Sequence, residues 1–307
     1  MEGWHYKTLI IVILVAFLFV TISYRSDKGA QLLTGSDYRQ HLGVIKCVTS
    51  TCRMEADHHS CRKFHLMTMY FSMGLQEDYI KKFSKEELSN RNQEYIDVLQ
   101  SNLNHPCIEK IHLFYVSEKD LVELRKSNLT RVEKLKFVKL DHFIHMADFF
   151  IYASKNLLGQ PAIAINADIA LGEGWDLIDV DKMLTEKLFY SLTRYQSNLS
   201  CSSRVHMCLT NYQGSHDTHI FALKEPLDEQ KLQRLDYPTN MNQAENGMIY
   251  TMGYVFKFKV SNPCLTVKTY HHHCSSVHGG SQDTYTILNL GWTKKEVHSG
   301  ISYPQRL

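Results

Sequence analysis

The sequence predicts an α/β domain built on a mostly parallel central sheet. Short apolar runs of strand length alternate along the chain with longer stretches of helical periodicity, the pattern of repeated strand–helix–strand units. With 307 residues, 44% of them hydrophobic, the chain is large enough to bury a sizeable core. An aromatic content of 11% with only six prolines excludes a disordered chain. The 34 lysines and arginines nearly balance 32 acidic residues, for a net charge of +2. That balance argues against a nucleic-acid partner, which would demand many phosphate contacts. A mean hydropathy of −0.28 excludes a multi-span membrane protein.

The elements follow in order. Leu9 to Val20 is an unbroken apolar run, flanked by Trp4, Tyr6 and Tyr24 in the manner of an interfacial aromatic belt. No small-residue cleavage pattern follows it, so it reads as an uncleaved signal anchor over 8–24 rather than a removed leader. Residues 1–7 would then be a cytosolic tail and the polar stretch 25–60 a stem. Phe64 to Ser72 is strand-like, and 75–91, charged and polar, reads as loop with a helical turn. Tyr95, Ile96, Leu99 and Leu103 recur at helical spacing until His105-Pro106 stops them. Ile111 to Val116 and Leu135 to Leu140 are strands. Phe143, Ala147, Phe150 and Leu157 form a helical face closed by Gly159 and Pro161. Ala162 to Ile165, Leu188 to Leu192 and His219 to Leu223 are further strands, and 244–254 is helical, ending near Gly253. No internal repeat interrupts this order. The body of the domain spans 61–290, with 291–307 a C-terminal tail.

Cysteine usage adds a compartment. The eight cysteines form no C-x-x-C pair, which disfavours a zinc ribbon, and their even number suggests two to four disulfides in an oxidising lumen. Sequons at Asn128 and Asn198 fit the same setting. The expected topology is a short cytosolic tail, one span and a luminal domain.

Five places hold residues able to do chemistry. Neither G-x-x-x-x-G-K-[ST] nor G-x-G-x-x-G occurs, so the common phosphate-cradling loops are missing. In open α/β sheets ligands sit outside the carboxyl ends of the strands. Asn166-Ala167-Asp168 falls at such an end, where a carboxylate can hold a divalent cation; a turn-capping role is the plain alternative. Arg194 ends another strand and can pair with phosphate or with a surface carboxylate. Asp217 lies on the loop before the strand at His219, placed as a general base or as a turn cap. Glu245 and Asn246 open a helix, where an acid also favours the helix dipole. In His271-His272-His273 the strand alternation puts His271 and His273 on one face, so one of them can complete a metal site begun by Asp168.

In this order the five pieces resemble a little-characterised family of glycosyltransferase-like proteins, whose members look like nucleotide-diphospho-sugar transferases of the GT-A type. The family pattern is an N-A-D-I strand end, an (A/S)-L-(T/S)-R-(W/Y) strand, S-x-D-x-W-I-F, a G-C-D-N helix start and N-P-C-x-x-(I/V)-K-T-x-H-x-H. Here these match Asn166 to Ile169, Ser191 to Tyr195, Ser215 to Phe221, Gln243 to Asn246, and Asn262-Pro263-Cys264 with Lys268 to His273. The likeness covers residues 62–278. Two departures stand out: His219 replaces the usual Trp, and Gln243-Ala244-Glu245-Asn246 replaces Gly-Cys-Asp-Asn.

The resemblance implies a GT-A-like (Rossmann-like) domain that transfers a sugar from a nucleotide-sugar donor to a glycan or glycoprotein acceptor. Asp168, with His273 or His271, would hold Mn²⁺ or Mg²⁺; Asn166 and Arg194 would bind the donor. Asp217 would be the catalytic base if the reaction inverts configuration, and Glu245 and Asn246 would shape the donor or acceptor pocket. The expected location is a Golgi or endoplasmic-reticulum membrane, as a single-pass type II protein. Two other readings stay open: an inactive glycan- or partner-binding protein of the same fold, and a histidine-rich ectodomain that senses pH or metal.

Overall fold

A computed structural model of the chain describes residues 61–196, Cys208, 216–277 and 286–307, and the backbone of 45–48 and 51–54. The chain divides into two compact units, 1–58 and 59–307. Of the first, the described part is an antiparallel pair, β1 (Ile45–Val48) and β2 (Thr51–Met54), with Cys47 opposite Cys52. The expected tail 1–7, anchor 8–24 and sequon at Asn198 lie outside the described residues.

The second unit is built on a seven-stranded sheet. Its strands are β3 (Phe64–Met69), β4 (Ile108–Tyr115), β5 (Leu135–Lys139), β6 (Pro161–Ile165), β8 (Leu188–Thr193), β10 (His216–Ala222) and β11 (Lys259–Ser261), in the spatial order β5-β4-β3-β6-β10-β8-β11. All neighbours pair in parallel except those of β10, which runs antiparallel to both β6 and β8. The sheet is therefore mixed α/β, mostly parallel and Rossmann-like, as expected.

Side-chain alternation divides the core into two layers. Phe64 and Leu66 of β3, Ile163 and Ile165 of β6, and Leu188, Tyr190 and Leu192 of β8 face one side. There they meet α1 (Lys85–Asn104), α2 (Glu118–Leu124) and α4 (Val180–Glu186). Met67, Met69, Ala162, Ala164 and Phe189 face the other side, against α3 (Met146–Asn156), α5 (Ala244–Tyr250) and α6 (Lys294–Ser299). The segment 291–307, expected as a tail, packs into this second layer through Trp292 and Val297.

α1 starts ten residues before Tyr95, inside the stretch expected as loop. A capping box explains the start: the Ser84 side chain accepts from the Glu87 amide, and Glu87 returns the bond to the Ser84 amide. At 20 residues α1 is long enough to cross a bilayer, but it carries Lys85, Glu86, Glu87, Arg91, Glu94 and Asp97. No helix among the described residues is both long and apolar enough to cross a membrane. That finding corrects the expected location as a single-pass type II protein of Golgi or endoplasmic-reticulum membranes.

Disulfides are present, as the cysteine count suggested. Cys61–Cys107 ties the chain just before β3 to that just before β4, Cys208 pairs with Cys264, and Cys274 is also disulfide-bonded.

Candidate functional site

The order of the sheet reverses between β3 and β6, because the chain builds β3, β4 and β5 outward in one direction and returns to the other side of β3. Such a switch point leaves a crevice at the carboxyl ends of the two strands. A cleft of about 440 Å³ lies there, lined by Phe71, Arg91, Tyr95, Phe143, Asn166, Ala167, Asp168, Arg194, His271 and His273, among others.

A second, three-stranded sheet gathers the polar side of this cleft. It contains β7 (Ile169–Leu171), β12 (Thr269–His271) and β9 (Tyr195–Gln196), in the order β7-β12-β9. Ile169 pairs with His271, so the residue before β7, Asp168, comes beside the end of β12. Tyr195 pairs with Tyr270, which brings Arg194 to the same edge. Three segments distant in sequence thus deliver Asp168, His271 and Arg194 to one place through backbone pairing alone. β12 ends at His271, and the His272 amide donates to the Asp168 carbonyl at 2.8 Å, turning the chain so that His273 also faces the carboxylate.

One ligand atom from each of Asp168, His271 and His273 lies within 4.8 Å of the others. His271 Nε2 is 3.2 Å from Asp168 Oδ2, and the His271 and His273 rings are 5.5 Å apart between centroids. Burial works to raise the pKa of Asp168, but the His271 hydrogen bond and the charges of Arg91 and Arg194 overcome it and hold the carboxyl far below the usual range. At His273, burial and then the Arg91 charge push the imidazole down to about 4, so it is neutral at pH 7 and can offer a lone pair. A carboxylate and two imidazoles form a donor set that suits Mn²⁺, Fe²⁺ or Zn²⁺ better than the oxygen-seeking Mg²⁺.

The expected donor-binding residues also meet. Arg194 Nη1 donates to Asp217 Oδ1 at 2.7 Å, and Asn166 Nδ2 donates to the same oxygen at 2.9 Å. Asp217 is the second residue of β10, only 3% exposed, and not on a preceding loop; the strand starts at His216, three residues earlier than the apolar pattern indicated. Glu245, in the first turn of α5, lies against this group. Burial and the Asp217 charge raise its carboxyl to about 7, while Arg194 and a hydrogen bond from Asn166 act in the opposite sense.

Two expected residues stand apart. Asn246 donates to the Gly300 carbonyl at 2.9 Å and ties α5 to the C-terminal segment instead of lining the cleft. His219 is buried, hydrogen-bonded with Ser191 at 3.0 Å and stacked on Phe189, so the departure from Trp is absorbed by core packing.

Two residues that sequence reasoning missed are central. Arg91, 2% exposed, donates through Nη2 to Asp168 Oδ2 and through Nη1 to Glu94 Oε2, each at 2.6 Å, with the Tyr95 ring 4.5 Å from its guanidinium. Glu94 in turn accepts from the amides of Cys274 and Ser275 at 2.8 and 2.6 Å. The signal was present: Ser84-x-x-Glu87 is a capping box, and Leu88, Arg91, Tyr95 and Leu99 form one helical stripe. An arginine on an apolar stripe implies a buried partner.

No protein-family model matches the chain, and no curated protein matches it. Among solved structures the chain is similar to HddC from Yersinia pseudotuberculosis, at 13% identity over 68% of this chain and 93% of that one, with a TM-score of 0.33. It is similar to residues 1–349 of TarS from S. aureus in complex with UDP-GlcNAc, at 10% identity over 70% of this chain and 60% of that one, TM-score 0.36. It is also similar to the inositol-1-phosphate CTP transferase from T. maritima, at 8% identity over 78% and 96%, TM-score 0.36. These similarities are too low to carry a function, which rests instead on the cleft.

Proposed function

We propose that this chain is a GT-A-type glycosyltransferase that takes a sugar from a nucleotide-diphospho-sugar donor and passes it to a hydroxyl of a glycan or glycoprotein, assisted by a divalent cation. The supporting observation is the meeting of Asp168, His271 and His273, with ligand atoms within 4.8 Å of one another, at the switch point of the sheet and in one cleft with Arg194. The donor set favours Mn²⁺ over Mg²⁺. Bound there, the cation would supply positive charge against the departing diphosphate.

The remaining work falls to side chains of this chain. Arg194, braced from behind by Asp217, presents its guanidinium to the cleft, where it binds a phosphate or donor-sugar oxygen. Asn166 donates to the same Asp217 oxygen and helps fix that carboxylate. Phe71, Tyr95 and Phe143 also line the cleft and offer aromatic surface for a ring of the donor or acceptor. Proton transfer from the acceptor is assigned to the Asp217–Glu245 pair. Within the pair one Asp217 oxygen is engaged by Arg194 and Asn166, whereas Glu245, raised to about 7, is matched to neutral pH. The catalytic unit of this reading is residues 61–290, with 291–307 packed against it.

The test uses the purified chain, Mn²⁺ and a panel of uridine and guanosine diphosphate sugars. A cognate donor at a hundred times its Kd stabilises the fold by about 3 kcal/mol, which a thermal-shift assay resolves, and slow donor hydrolysis accompanies binding. Asp168→Ala removes both responses. If no donor in the panel binds or is hydrolysed, the transferase reading fails and the inactive binding protein replaces it.

A further inference from the structure

We propose that Glu94 is a positioning residue of the cation site, setting the net charge of the site through Arg91 and fixing the turn that aims His273. The inference rests on the metal-assisted reading above and names two residues of α1 that this reading did not require.

The charge argument starts from Arg91. Its guanidinium touches Asp168, one of the three cation ligands, at 2.6 Å in a buried setting. A lone buried Arg91–Asp168 pair would be neutral, and a neutralised carboxylate has little attraction for a dication. Glu94, 2.6 Å from the other end of the same guanidinium, changes that sum. Two carboxylates around one guanidinium leave a net charge of −1, so Asp168 keeps a local field that attracts a cation. After a divalent cation binds, the cluster carries +1, the sign a diphosphate requires.

The geometric argument concerns the other end of Glu94. Its Oε1 accepts from the Cys274 and Ser275 amides at 2.8 and 2.6 Å, and its Oε2 from the Ser275 hydroxyl at 3.1 Å. These are the two residues after His273, so the carboxylate fixes the turn from which that imidazole reaches Asp168. Arg91 and Glu94 stand three positions apart on α1 and share a face. One helix face therefore holds the first ligand, through Arg91, and the segment bearing the third, through Glu94. A purely architectural ion pair tying α1 to residues 272–275 would have the same contacts, but its loss would lower stability without changing the cation affinity of molecules that remain folded.

Calorimetric titration with Mn²⁺ alone, on the full chain without donor, separates the two. Glu94→Gln keeps an amide-accepting oxygen and the side-chain length but removes the charge. Its Kd for Mn²⁺ is expected to weaken by about 10–100-fold, the range for groups that support metal ligands from behind, while circular dichroism shows the fold retained. Arg91→Met/Glu94→Gln returns the cluster to −1, now carried by Asp168 alone, and is expected to recover most of the lost affinity. Glu94→Gln binding Mn²⁺ like the wild type, or a double variant no tighter than Glu94→Gln, overturns the proposal. Failure of the metal reading looks different: the wild type binds no Mn²⁺, or Asp168→Ala binds as well as the wild type.

Discussion

At Glu245 burial and a neighbouring negative charge act in the same direction, and the consequence is a pH-dependent stability. Its carboxyl titrates at about 7 in the fold and near 4.5 when exposed, so the fold favours the protonated form. The stabilisation is complete below pH 4.5 and is lost as pH rises through 7, in total roughly 3 kcal/mol. Glu245→Gln, which is neutral at every pH, should therefore match the wild type near pH 4.5 and exceed its stability by about 2–3 kcal/mol at pH 8. Urea denaturation at the two pH values measures this; a difference that does not change with pH refutes it. In the sequence Glu245 was visible as a favourable charge at a helix start and, through the resemblance, as a pocket-shaping residue, but its raised pKa was not, because Asp217 and Arg194 come to it from distant parts of the chain. Asp168 and His271 were legible for a local reason: an acid just past an apolar strand, and alternation along a short strand, are both properties of adjacent residues.

Among the elements, strands were read more surely than helix starts. β6 is a continuous apolar run, and β3 and β8 are broken only by His65 and Thr68 and by Ser191 and Thr193, because both faces of these strands are covered. The first half of α1 is mostly polar, so its periodicity is carried by Leu88 and the buried Arg91, and a hydrophobic pattern alone begins too late. The three-residue strands β7 and β12 are too short to announce themselves, yet they assemble the cleft. Their approach depends on Gly174. Its φ of 88° is left-handed, and a Cβ there would lie 2.0 Å from the Thr266 carbonyl oxygen. Beside it, Glu173 pairs with Lys268 and the Trp175 indole donates to the Lys268 carbonyl, holding the entry to β12. Gly174→Ala is expected to cost about 2–4 kcal/mol through strain and backbone displacement, and to weaken Mn²⁺ binding because His271 moves with β12. An unchanged urea midpoint would contradict this.

For the molecule as a whole, the 17 histidines find a partial explanation in burial. His65, His105, His112 and His219 all have their pKa lowered by desolvation first of all. His112 of β4 is the one of these four with a stated value, about 4: it is 2% exposed, 3.0 Å from the His65 ring nitrogen and 2.8 Å from the hydroxyl of Tyr152 on α3. The fold favours its neutral form, so its contribution is full above pH 6.5 and is lost as pH falls toward 4, about 3 kcal/mol from this residue. Relative to the wild type, His112→Gln should therefore gain about 3 kcal/mol of stability as pH falls from 6.5 to 4. Urea midpoints across this range decide it, and equal slopes for the two proteins would rule it out. Acid sensitivity of this origin belongs to core packing and needs no sensing role for the histidine-rich composition.

The sequence by itself determined the α/β class, the mostly parallel sheet, the places of most strands and the candidacy of Asp168, Arg194, His271 and His273, since these follow from local periodicity and from residue types at strand ends. Only the tertiary structure decided that β10 runs antiparallel, that Asp217 lies within a strand, that Asn246 is tied to the Gly300 carbonyl and that Arg91 and Glu94 stand behind Asp168. Each of these depends on contacts between segments far apart in the chain. The energy of a buried charge is set by the partner that folding brings to it, and the order of residues along one strand or helix does not record that partner.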